Sequence, residues 1–225
     1  MTTVEARPLT ERCARIFAGR EHALFGISAL NGYFSLKAIA GLLGWAIGQF
    51  ARVDVLVPGI ELEGTLAARG VLPGKAGKQA RAAINNTRNR VTNTLAALDA
   101  PQVGVFSWTD LGSRPAYQAL RGEMERLYAE DDGFRQRCVA ALEPALGTRE
   151  PTTGQVRDAM PFLLSELPLM VDSPAIFGAN SSVFCYPKMM PVAEWLYCGM
   201  LPIRPSRDQG MLTTRLTGVL AGEDH

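Results

Sequence analysis

The sequence predicts an α/β fold, a mainly parallel sheet with helices on both faces. Three observations carry that prediction. Strand-length apolar runs alternate with longer stretches of helical periodicity. Two of those runs, HALFGI and VDVLV, read as strands buried on both faces. Finally, 47% of the 225 residues are hydrophobic, enough for the core of one ordinary domain spanning 1–225.

Residues 22–27 form the first expected strand. A helix is expected over 31–50, with Leu36, Ile39, Leu43, Ile47 and Phe50 on one face. Residues 53–57 give a second strand, 75–98 a long polar helix, and 102–108 (QVGVFSW) a third strand. A charged helical stretch follows over 114–146, broken near 131–133. Thr152 or Thr153 caps a helix running to Leu167, which Pro161 should kink by removing a backbone donor. Strand 182–186 (SVFCY), a short helix over 192–197 and a last strand over 211–220 complete the chain. The stretches 70–77 and 144–151 read as loops.

Composition excludes several classes of function. No uninterrupted apolar run reaches the roughly 20 residues of a membrane span, and MTTVEARPLTER lacks the apolar core of a secretory signal. A cytoplasmic protein is therefore expected. The four cysteines, Cys13, Cys138, Cys185 and Cys198, show no C-x-x-C spacing, which suits free thiols in a reducing compartment. With only His22 and His225 available, a multi-histidine metal centre is excluded and no metal is expected. The formal charge of +1 hides an asymmetry: no acid falls between Glu63 and Asp99, while Arg69, Lys75, Lys78, Arg81, Arg88 and Arg90 do. Such a distribution suits a polyanion on one face.

Candidate chemistry begins at Ser28, in GISALN, on a strand-to-helix turn. In open α/β sheets ligands sit beyond the carboxyl ends of strands. Ser28 is there either a nucleophile beside the amides of the following helix or that helix's cap. The α/β-hydrolase pattern G-x-S-x-G is not met, because Leu30 occupies the second glycine position. Glu166 is the only charge between Asp158 and Asp172, and Phe162 lies one turn before it. A carboxylate amid such apolar surface could hold an ammonium, or could be a solvated charge beside a core stripe. Lys78, Arg81, Asn85 and Arg88 line one helical face, as a phosphate-binding row or a solvated one. Tyr186 ends a strand, and His22 opens one in a structural role.

Taken together, EHALFGISALNGYFS, ELPLMVDSPAIF and SSVFCYP resemble the tRNA-dependent cyclodipeptide synthases, and the order of elements between them agrees. The resemblance implies a Rossmann-like domain similar to the catalytic domain of class I tyrosyl- and tryptophanyl-tRNA synthetases. It implies a monomer whose partners are two aminoacyl-tRNAs, joined into a cyclic dipeptide without ATP or any cofactor. The chain accordingly has no G-x-x-x-x-G-K-[ST] loop. Carried over to this sequence, Ser28 would take the first aminoacyl group, Asn31 would order the site, Glu166 would hold the α-amino group, and Tyr186 would serve the later proton transfers. Leu24, Gly26, Leu56, Trp108 and Phe162 would surround the first aminoacyl side chain, implying an apolar one limited in size by Trp108. Lys78, Arg81, Arg88 and Arg90 would hold tRNA. The sequence departs from the family at three places: Phe162 stands where a Tyr is common, Asn31 combines with Tyr186-Pro187 from a different subgroup, and Asn85 and Asn89 replace cations.

Overall fold

The structure is a computed structural model, described over residues 3–217. Its elements, in chain order, are β1 (Thr3–Pro8), α1 (Glu11–Ala18), β2 (His22–Gly26), α2 (Leu36–Ile47), β3 (Arg52–Leu56), α3 (Leu62–Ala68), α4 (Pro73–Ala97) and β4 (Gly104–Phe106). After these come α5 (Trp108–Leu111), α6 (Pro115–Glu130), α7 (Asp132–Leu146), α8 (Thr153–Phe177), β5 (Ser182–Tyr186), α9 (Pro191–Tyr197) and β6 (Gln209–Thr217).

The six strands form one sheet in the order β1-β6-β5-β2-β3-β4, parallel throughout except for β1, which runs antiparallel to β6. Every residue of β2 and β5 is buried. Because alternate side chains point to opposite faces, both faces of the sheet centre are covered. From β2 the chain proceeds outward through β3 and β4 on one side, then crosses to β5 and β6 on the other. The switch therefore lies between β2 and β5, and the crevice beyond their carboxyl ends is the expected ligand position.

Several expected elements change. The helix expected from residue 31 begins only at Leu36, because Ser35 caps it by accepting from the Ala38 amide at 3.2 Å. Leu36 is consequently 57% exposed instead of lying on the buried face. Trp108 leaves the third strand to open α5, whose capping box is closed by Ser107 and Asp110. The break in the charged stretch falls at Asp131, which accepts from the Phe134 amide at 2.7 Å. The loop expected from residue 144 is still helix to Leu146, and that expected over 70–77 gives way to α4 at Pro73. Of the last expected strand, residues 218–220 lie outside the described residues, as does His225.

Helix α8 runs ten residues past Leu167 and stays helical at Pro161; its kink is at Asp172 (φ −156°, ψ 63°). The carbonyls freed around the kink are satisfied from elsewhere. Tyr197 Oη donates to Met170 O at 3.3 Å, and the Ser206 amide donates to Val171 O at 2.8 Å. By length and composition α8 could cross a membrane, but 72% of its apolar window is buried inside the fold. It is the core helix against which α3 and α6 pack.

Candidate active site

A cavity of about 500 Å³ opens beyond the carboxyl ends of β2 and β5. Its formation starts at Gly26, the last residue of β2. A Cβ there would stand 3.0 Å from the Phe184 ring and 3.4 Å from the Tyr186 ring, so glycine leaves room for both rings at the strand end. The chain then turns. Asn31 closes a tight loop by accepting from the Tyr33 amide at 3.0 Å through its side chain and from the Phe34 amide at 3.2 Å through its backbone. This loop separates Ser28 from α2, so Ser28 neither caps that helix nor borrows its first amides.

Ser28, Asn31, Glu166 and Tyr186 all line this one cavity. The Asn31 Nδ2 donates to Tyr186 Oη at 3.5 Å. Burial pushes the Tyr186 phenol above its usual range; the Asn31 contact opposes this, the nearby Glu166 charge reinforces it, and the Ser28 hydroxyl opposes it. Asn31 thus meets the Tyr186 hydroxyl directly, while Ser28 and Glu166 line the same cavity and act on its ionisation. Phe34 packs against the Tyr186 ring at 5.9 Å and fixes its tilt.

Glu166 enters from α8. No hydrogen bond or ion pair to its carboxylate exists among the described residues, and burial alone raises its pKa to about 7. Its position is set by the preceding residue. Tyr117 Oη donates to the Ser165 carbonyl at 2.9 Å, while Ser165 Oγ donates to Pro161 O at 2.6 Å. Tyr117, unremarked in the sequence, therefore pins α8 immediately before the carboxylate.

Gly26, Leu56, Trp108 and Phe162 also line the cavity. Trp108 and Phe162 meet edge to face at 4.6 Å and close one wall. Leu24 does not reach it: fully buried two residues before Gly26 on the same face of β2, it belongs to the core beneath the cavity floor. Leu62 and Thr65, from the unanticipated short helix α3, line the wall as well. So do Arg69, Lys188 and the ends of α7 and α9.

The basic row on α4 is divided. Lys78 and Arg81 are exposed and form no ion pair among the described residues. Arg88 instead bonds Asp110 Oδ2 at 2.7 Å and Val105 O at 3.2 Å, and Arg90 donates to Phe34 O at 2.8 Å. Those two guanidinium groups brace α4 against β4, α5 and the Asn31 loop, a structural role beside the tRNA contact that the resemblance implied. Asn85 and Asn89 are exposed. His22 lies at the opposite end of β2 from Ser28, buried beside Asp54 at 3.2 Å, so it cannot relay a proton from the serine. No group of three or more His, Cys, Asp or Glu side chains converges among the described residues.

Such a site can hold a compact ligand whose ammonium neutralises Glu166, with a hydroxyl nucleophile and a phenol beside the reacting carbon. With no histidine beside Ser28 among the described residues, it suits a substrate that is already an activated ester.

Comparison with known proteins agrees with this geometry. Residues 4–215 match the family described as cyclodipeptide synthase. A cyclo(L-leucyl-L-phenylalanyl) synthase from Streptomyces noursei is 31% identical over 215 residues, covering 92% of this chain and 90% of that one. The structure of a Mycobacterium tuberculosis protein, which relates cyclodipeptide synthetases to type I tRNA synthetases, superposes with a TM-score of 0.87 at 30% identity, covering 94% of this chain and 92% of that one. At the level of fold alone, tyrosyl-tRNA synthetase from Archaeoglobus fulgidus matches with a TM-score of 0.55 at 13% identity, over 91% of this chain and 58% of that one.

Proposed function

Because this chain belongs to the cyclodipeptide synthase family, we propose that it joins the aminoacyl groups of two aminoacyl-tRNAs into a 2,5-diketopiperazine through esters on Ser28. The observation that carries this reading is the convergence of Ser28, Asn31 and Tyr186 around one cavity in which Glu166 has no partner of its own.

In the first step Ser28 Oγ attacks the ester carbonyl, and the tRNA hydroxyl leaves with the serine's proton. One ester replaces another, so positioning is the main requirement. Glu166 holds the α-ammonium of the bound aminoacyl group. That amine must then lose a proton to attack the ester of the second aminoacyl-tRNA, and a carboxylate titrating near 7 suits its removal. The product is a dipeptidyl ester on Ser28, and the second tRNA leaves as its hydroxyl. Its free amine finally attacks the Ser28 ester, closing the ring and returning a proton to Oγ, with the Tyr186 phenol as the relay.

The apolar wall of Gly26, Leu56, Trp108 and Phe162 favours an apolar first amino acid of limited size. The leucyl and phenylalanyl units in the Streptomyces noursei relative's name accord with this. The exposed Lys78 and Arg81 would meet the tRNA backbone. The reading takes the chain as one monomeric cytoplasmic domain that uses no cofactor or metal.

Mass spectrometry of culture medium from a bacterial host expressing wild type and Ser28→Ala tests the proposal. Cyclic dipeptide masses present with wild type and absent with the variant are expected. Phe162 favours a second reading, a non-catalytic tRNA-binding module, since the carboxylate lacks a tyrosine beside it. Folded protein that carries tRNA and gives no product would favour that reading.

A further inference from the structure

The charges lining the cavity are segregated. Glu166 is inside, and its ionisation is governed by burial with no compensating cation. Arg69 and Lys188 also line the cavity, yet neither approaches Glu166 closely enough to form an ion pair or to offset its burial. Both are exposed, and neither has an acidic partner among the described residues. They therefore belong to the solvent-facing end of the cavity, away from the carboxylate.

Arg69 is also oriented. It follows α3, and its Nε donates to Ala145 O at 2.7 Å near the end of α7. That bond uses one of five donors and leaves both terminal nitrogens unbonded. Lys188 follows Tyr186 and Pro187 in the loop leading to α9, and so stands just past the residue that reaches toward Ser28.

A ligand matching this layout carries an ammonium at one end and an anion at the other. The end of an aminoacyl-tRNA has that form. Its α-ammonium is on the amino acid, its ester is on the ribose, and the same ribose carries a phosphodiester at its 5′ oxygen. With the ammonium on Glu166 and the ester carbonyl at Ser28, the phosphodiester emerges one sugar outward. We propose that Arg69 and Lys188 form a clamp for the phosphate of the 3′-terminal nucleotide, recognising every aminoacyl-tRNA regardless of its amino acid. Arginine and lysine both suit this role, one through planar paired donors and the other as a compact charge. The clamp rests on the reading of Ser28 and Glu166 given above, and it identifies positioning residues for the shared part of the substrate.

The test uses the full chain and two pairs of probes. The first pair, adenosine 5′-monophosphate and adenosine, reports binding without any chemistry. The second pair, their 3′-aminoacyl esters bearing an amino acid found in the culture product, reports ester formation on Ser28 by intact-protein mass. Wild type is expected to favour the phosphorylated member of each pair by roughly tenfold, and Arg69→Gln/Lys188→Gln should bring both ratios toward one. Arg69→Lys should restore part of the preference, which a purely structural bond to Ala145 would not do. A wild type indifferent to the phosphate, or a double variant that keeps the preference, overturns the clamp. A changed choice of amino acid with the phosphate preference intact also overturns it, assigning the two cations to an acidic side chain instead. Phosphate-dependent binding without any ester on Ser28 would leave the clamp standing and remove the catalytic reading.

Discussion

Asn31 and Tyr186 meet at 3.5 Å through the amide nitrogen of one and the hydroxyl of the other, although 155 positions separate them in the chain. Each lies at the same end of the sheet, one five residues before α2 and the other at the last position of β5. The contact holds the phenol in the cavity that Ser28 and Glu166 also line, so replacing either partner should act on the late chemistry more than on folding. Tyr186→Phe should lower cyclic dipeptide formation by about 10²–10⁴-fold, the range of a lost proton relay. Intact-protein mass should then show acylated Ser28 accumulating. Uniform loss of acylation would mean that the phenol acts before the first transfer.

The pH dependence follows from Glu166. Its pKa is raised to about 7, and only the carboxylate attracts an ammonium. The rate of Ser28 acylation should therefore rise as pH rises through about 7, and Glu166→Gln should be slow and flat across that range. Stability moves the other way. Between the ordinary carboxylate range and 7 the folded state binds a proton that the unfolded chain has released, so stability falls as pH rises across this window. Glu166→Gln should thus be more stable than wild type at pH 8, by on the order of 2 kcal/mol, measured by urea unfolding. Equal stability at pH 5.5 and 8 in wild type would contradict a half-buried carboxylate with no partner among the described residues.

Trp108 and Phe162 set the size of the proposed first pocket. Trp108→Leu should cost about 2 kcal/mol of stability through incomplete filling and admit bulkier amino acids, read as heavier dipeptide masses. Phe162→Tyr places a hydroxyl one helical turn before Glu166. It should speed acylation several-fold if that hydroxyl shares the ammonium, by an amount equivalent to about 1 kcal/mol.

Gly64 is where α3 crosses α8. A Cβ there would collide with the Asp158 carbonyl. Gly64→Ala should push α3 away, displacing Leu62 and Thr65 from the cavity wall, and destabilise the protein by about 2–3 kcal/mol. Chemical denaturation and product yield should fall together.

The buried strands and the candidate groups were readable because apolar runs and isolated charges are local signals. HALFGI and SVFCY are uniformly buried, and Glu166 is conspicuous as the only charge in its stretch of α8. What was not readable depends on distant partners or on short range geometry. TVEARP alternates weakly because β1 is a half-exposed edge strand. Seven-residue α3 is too short for a periodic signal. Trp108 left its strand because Ser107 found Asp110 to cap a turn. The bracing bond of Arg90 is invisible in the sequence because its acceptor, Phe34 O, lies 56 positions earlier.

The one antiparallel strand has a kinetic consequence. Among the described residues β1 pairs with β6 alone, Thr3 opposite Thr217, and Thr217 Oγ1 donates to Thr3 O across 214 positions. On a ribosome, β1 emerges long before β6, its sheet neighbour among the described residues. The parallel strands β2 to β5 can assemble outward from β2 meanwhile, whereas the outermost edge waits for β6. Closing that edge is thus a late event, and chains stalled before β6 would carry β1 unpaired and the flank of β5 open to other chains.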